Sequence, residues 1–144
     1  MLIKLLPEQV SKYWVELRPA IERALPPTGD ANRMQNVLSA ILMDQLKVWA
    51  SFYEKEGKRT FNGVVTTAIE NELGTGNRAL LIYSVFGYSD SSTRDWLEGL
   101  ETIKKYAIAE ECTHIKAYSN IDNVVAMVAR LGADTSYRLI LFSL

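Results

Sequence analysis

The chain has 144 residues, 48% apolar and 23% charged, and 16 basic against 17 acidic side chains leave a formal charge of -1. That length suits a single domain spanning residues 1–144, and the balanced charge gives no electrostatic case for nucleic acid or an acidic membrane surface. A single cysteine, Cys112, rules out an internal disulfide, and a single histidine, His114, rules out a multi-histidine metal site. The sequence has no run of apolar residues long enough to span a bilayer and no signal-like start, so the expectation is a cytoplasmic protein.

In chain order, Met1–Leu6 reads as a short strand suited to a sheet edge. Pro7 and Glu8 fit the first turn of a helix, along which Val10, Tyr13, Trp14 and Leu17 recur at helical spacing. Pro19 is expected to break or kink that helix, with Ile21, Ala24 and Leu25 able to add a turn beyond it. Pro26-Pro27-Thr28-Gly29 is a loop, and Asp30 is placed to cap the next helix, whose stripe is Met34, Val37, Leu38, Ile41 and Leu42. The aromatic residues Tyr13, Trp14, Trp49, Phe52 and Tyr53 fit a core by periodicity and could also anchor a protein contact.

After Asp44 the period changes to that of strands. Leu46–Tyr53 and Phe61–Ile69 flank a turn at Lys55-Glu56-Gly57-Lys58, with Gly63 marking a bulge or a close backbone approach. Glu70–Asn77 leads to an apolar strand, Ala79–Phe86, and three strands joined this way form an antiparallel meander. A polar turn, Gly87–Ser91, precedes a long amphipathic helix from about Ser92 to Glu111, where Ser92 and Asp95 imitate a capping box. Next come a short strand, His114–Tyr118, and a helix, Asp122–Leu131, which stops at Gly132. The last expected element is a nearly all-apolar internal strand, Tyr137–Phe142. From Ala79 to Gly132 the pattern is a right-handed crossover unit, with its ligand site at the strand end facing the helix N-terminus.

The order β-α-α-β-β-β-α-β-α-β, a mixed α/β sheet, resembles the GNAT family of acetyl-CoA-dependent N-acetyltransferases, best over Ala79–Gly132. The segment Tyr118-Ser119-Asn120 to Arg130-Leu131-Gly132 looks like the family's asparagine, followed by a helix ending in an aliphatic residue and glycine. The chain also resembles short GNAT-like proteins of tailed bacteriophages, some of them virion-associated. The resemblance implies a splay between the fourth and fifth strands that takes the acyl-CoA pantetheine, with pyrophosphate on backbone N–H groups at a helix N-terminus. Mapped here, it implies acetyl-CoA as co-substrate and binding residues Phe86, Gly87, Tyr88, Ser89, Ser91, Ser92, Arg94 and Asn120.

The sequence lacks the family's Gln/Arg-x-x-Gly-x-Gly/Ala loop signature, and the position of its usual general-acid tyrosine is Val128. Glu70, Glu72, Tyr83 and Tyr118 are candidates to deprotonate the amine or assist the leaving group, and each can equally be read as a structural residue. Two functions remain open on this reading. One is a divergent N-acetyltransferase acting on a small amine or a protein amine. The other is a non-catalytic GNAT-fold protein with a protein partner or self-association, such as a component of a phage particle.

Overall fold

A computed structural model describes residues 1–25, 29–87 and 92–144. The elements are β1 (Leu2–Leu5), α1 (Pro7–Lys12), α2 (Trp14–Ala24), α3 (Arg33–Leu42), β2 (Leu46–Lys55), β3 (Lys58–Asn71), β4 (Arg78–Gly87), α4 (Thr93–Ala109), β5 (His114–Ala117) and α5 (Asp122–Arg130). The sheet is five-stranded in the order β1-β2-β3-β4-β5, antiparallel throughout except for the parallel β4–β5 pair. This is the expected mixed α/β sheet, with β1 on its edge and β2–β3–β4 as the meander.

The helices cover the sheet on two sides. Val10, Leu17, Ile21, Met34, Val37 and Ile41 from α1–α3 pack with Leu46, Val48 and Val64 of the strands. On the other side Ile103 and Ala107 of α4 close with Trp49 and Leu80. The indole Nε1–H of Trp49 donates to Thr67 Oγ1 at 2.9 Å, and the ring meets Tyr106 edge-on at 5.0 Å. Trp49 is thus core, and Trp14 packs against the first cluster, whereas Tyr13 and Tyr53 stay exposed.

Turn chemistry follows the sequence closely. Glu56 and Gly57 both carry positive φ, 52° and 72°, the backbone a two-residue hairpin needs for its twist to match the strands. At Gly63 both expectations are met. The β2–β3 register shifts between Ser51 and Phe52, and a Cβ on Gly63 would lie 2.7 Å from the Phe86 carbonyl oxygen.

Three local expectations need correction. The first helix breaks at Tyr13 rather than Pro19, and α2 runs through the proline. A proline deprives the carbonyl four residues back of its donor. Here that residue is Val15, 83% exposed, on the wet side of the helix, and so able to be solvated. Asp30 does not cap α3. The N-cap is Asn32, whose N–H donates to Asp30 Oδ1 at 2.8 Å, closing a local turn before the helix starts. The largest difference is at Tyr137–Phe142, which forms no ladder and is exposed along its length. Its apolar run suits a strand covered on both faces, and no neighbouring strand accepts it.

The capping box at α4 forms as expected. Ser92 Oγ accepts from Asp95 N–H at 3.2 Å, and Ser92 N–H donates to Asp95 Oδ2 at 3.0 Å. The Ser92 side chain and backbone bonds hold the Asp95 carboxyl below the usual aspartate range. Replacing Asp95 by Ala is expected to lower stability by about 1 kcal/mol, measured by urea denaturation at neutral pH. A depressed carboxyl contributes stability above its unfolded pKa and loses it as pH falls through the folded value. The wild-type and variant curves should therefore converge below about pH 4.

Candidate active site

Pairing of β4 with β5 covers only four positions, Ala79 with His114 through Ile82 with Ala117. Beyond Ile82, β4 continues to Gly87 still paired with β3, but no strand accompanies it on the β5 side among the described residues. The sheet therefore opens at this point and exposes one edge of β4. A bulge coincides with the opening, because the β3–β4 register passes from Thr66–Ser84 to Thr67–Ile82 and leaves Tyr83 without a partner. Bulges of this kind redirect a strand and its side chains. Tyr118 directly follows β5, so the two candidate tyrosines flank the mouth of the opening, both exposed.

A cleft of about 580 Å³ lies beside it, within the usual range for small-molecule sites. Its lining includes Ala68, Glu70, Leu81 and Tyr83 from the sheet, and Asp30, Arg33, Asn36 and Val37 from α3 and the residues before it. Glu70 and Tyr83 therefore share one cleft. Lys116 of β5 reaches across β4 to Glu70, with Nζ 2.5 Å from Oε2. That hydrogen bond holds the Lys116 ammonium above the ordinary lysine range. Lys116, like Asp30 and Asn36, was missed from the sequence. Alternation places Lys116 on one face of β5, but which residue of β3 lies opposite it across β4 depends on a register that only the structure supplies.

The remaining candidates are scattered. Glu72 accepts from Thr75 and Asn77 in the β3–β4 turn, and these bonds keep its carboxyl below the usual range. Such a group is a turn-former. The Phe86 side chain packs against the α1–α3 core cluster, and Arg23 lies over its ring at 6.0 Å. Gly87 pairs with Gly63 at the end of β4, and Asn120 is exposed between β5 and α5. Arg94 lines a second cleft of about 430 Å³ with Met1, Phe52, Arg59 and Glu98, toward the β1–β2 side and away from the β4–β5 opening. Tyr88, Ser89 and Ser91 lie outside the described residues. Ser92 is engaged by Asp95, so the N-terminus of α4 already carries a carboxylate. Val128, at the family's tyrosine position, is half-buried on α5.

No protein-family model matches the sequence, and no curated protein is similar to it in sequence. Solved structures, by contrast, superpose over the whole chain. An aminoglycoside antibiotic 6'-N-acetyltransferase from Acinetobacter baumannii matches with a TM-score of 0.66 at 17% identity, covering 99% of this chain and 96% of its own. The chain has the GNAT acetyltransferase fold. A ribosomal-protein-alanine N-acetyltransferase from Brucella melitensis biovar Abortus 2308 shares it, with a TM-score of 0.67 at 10% identity and coverage of 100% and 99%. So does an aminoglycoside acetyltransferase bound to a bisubstrate analogue, CoA-S-monomethyl-acetylneamine, at 0.69 and 13% identity, covering 99% and 96%. At identities this low the likeness is one of fold. Among the described residues no helix is long and apolar enough to cross a membrane.

Proposed function

We propose that the protein is a divergent acyl-CoA-dependent N-acetyltransferase. The observation that carries this reading is the parting of β4 and β5 beyond Ile82 and Ala117, with the Tyr83 bulge at its apex and the cleft alongside. An extended acyl-CoA arm pairs with exposed strand backbone as a further strand does. The thioester then lies near Tyr83 and Tyr118, and the amine enters the cleft beside Glu70.

In the transfer itself the amine nitrogen forms a bond to the thioester carbonyl carbon and the carbon–sulfur bond breaks. The departing thiolate takes a proton, and the nitrogen gives one up. Tyr118 or Tyr83 is the proton donor to sulfur, the role Val128 cannot fill. Glu70, ion-paired with Lys116, lies beside the entering neutral amine and takes the one proton that its nitrogen releases as the amide forms. Holding the two reactants in line supplies much of the acceleration. Of the residues assigned to acetyl-CoA, Gly87 and Asn120 border the opening in this reading and Ser92 caps α4, while Tyr88, Ser89 and Ser91 lie outside the described residues. This reading makes no use of Arg94, which lines the other cleft, or of the Phe86 side chain, which packs against the core.

The test is calorimetric titration of acetyl-CoA. Micromolar binding, weakened at least tenfold by Gly87→Trp and unchanged by Arg94→Glu, is expected. Absence of binding at millimolar ligand would sink the proposal. That outcome favours the second reading, a GNAT-fold interaction protein such as a virion component, which is motivated by Asp95 filling the helix N-terminus where a pyrophosphate would sit.

A further inference from the structure

The cleft beside the open edge of β4 has an apolar floor laid down by strand register. Leu46 pairs with Ala68 and Ala68 with Leu81, so one side chain from each of β2, β3 and β4 stands in a single row across the sheet. All three line the cleft, and Val37 and Ala40 of α3 complete the apolar wall. Strands lie about 4.8 Å apart, so the row is roughly 10 Å long, and the alanine at its centre leaves a hollow between two leucines. Glu70 stands two residues along β3 from Ala68, on the same face and roughly 7 Å away.

Charge sorts the lining in the same direction. Lys116 engages Glu70, with Nζ 2.5 Å from Oε2, and Arg33 lies 3.8 Å from Glu22. Asp30 is exposed, and its Oδ1 accepts from the Asn32 N–H. Of the two carboxylates in the lining, only Asp30 has no basic partner among the described residues. A polycation needs several free carboxylates, and it meets Arg33 as a like charge. The volume of about 580 Å³ admits either kind of ligand, so the walls decide.

We propose that the acetyl acceptor is a primary monoamine with an apolar body, its nitrogen at Glu70 and its chain or ring over Ala68 between Leu46 and Leu81. Asp30 attracts the ammonium form from solution. Loss of one proton to water gives the neutral amine that lies at Glu70. This inference rests on the acetyltransferase reading and adds to it the class of substrate.

A homologous series from propylamine to hexylamine, with spermidine as the polycation, tests it in two ways. Binding in the absence of acetyl-CoA is followed by backbone amide shifts in NMR, and turnover by release of the coenzyme A thiol. Affinity and kcat/KM are each expected to rise about threefold per methylene, with the shifts centred on Ala40, Ala68 and Leu81. Hexylamine should exceed spermidine at least tenfold. Ala68→Leu fills the hollow and should flatten the series, and Ala40→Asp should reverse the order of hexylamine and spermidine. A flat series in the wild type, tighter binding of spermidine, or a chain-length trend that survives Ala68→Leu would overturn the substrate class even where acetyl-CoA binds. A chain-length trend in binding with no thiol released would uphold the ligand of the cleft and overturn the acetyltransferase reading instead.

Discussion

Replacing Trp49 by Ala is expected to destabilise the protein by about 4 kcal/mol, a large part of what a domain of this size possesses. The indole is buried at the junction of three elements. It fills the space between the central sheet and α4, meets Tyr106 edge-on, and satisfies Thr67 through Nε1. Truncation therefore empties a volume that the rigid meander cannot collapse into, and it orphans a buried hydroxyl as well. Trp49→Phe keeps most of the apolar contact and loses only the donor, so about 1–2 kcal/mol is expected for it. The two variants separate cavity from hydrogen bond, and urea denaturation measures both. A second readout is local. Burial, with Glu110 nearby, pushes the Tyr106 hydroxyl up to about 12. Phenolate absorbance should show it titrating closer to the ordinary range once the indole is gone. A loss below 1 kcal/mol in Trp49→Ala would mean that α4 is not held to the sheet at this point.

The second large effect concerns chemistry. Glu70→Gln is expected to reduce the rate of acetyl transfer by about a hundredfold or more while leaving acetyl-CoA affinity within twofold, because the proposed mechanism gives Glu70 the proton of the amine and no contact with the acyl-CoA. The change is nearly isosteric and keeps a polar group opposite Lys116, so stability should move little. Tyr118→Phe and Tyr83→Phe distinguish the proton donor to sulfur. The one that matters loses rate preferentially with poorly activated thioesters and regains it with a better leaving group. An unchanged rate in Glu70→Gln would remove this carboxylate from the mechanism and leave water as the proton acceptor.

Most of the architecture was legible because its signals are local. Alternation gave the meander, helical spacing gave the buried stripes of α3 and α4, and the Ser92–Asp95 pair gave the start of α4. Pro19 misled because a helix tolerates proline where the orphaned carbonyl faces water, and exposure of Val15 is a tertiary fact. Tyr137–Phe142 misled for the opposite reason. Its all-apolar composition suits an internal strand, yet composition does not supply a neighbouring strand, and none pairs with it among the described residues. Among the candidate residues, Glu70 and Tyr83 meet in one cleft. Lys116, their neighbour across β4, was invisible because pairing register between strands separated by α4 is not written in either strand. Arg94 enters only through the mapping of the family's anion-binding loop onto Gly87–Arg94, whereas the first turn of α4 puts it in the cleft toward the β1–β2 side of the sheet.

The four-rung seam between β4 and β5 also bears on how the molecule assembles. β2, β3 and β4 zip through short turns between neighbours in sequence, so that slab can form early at small loop-closure cost. β5 must wait for the whole of α4 to fold and cross over, and it is then held by four backbone positions and the Lys116–Glu70 clasp. Defects in β5 and α5 should accordingly show in how fast the protein comes apart, hardly at all in how fast it forms. The lobe that borders the open edge of β4 is the last to be built and the first to be lost.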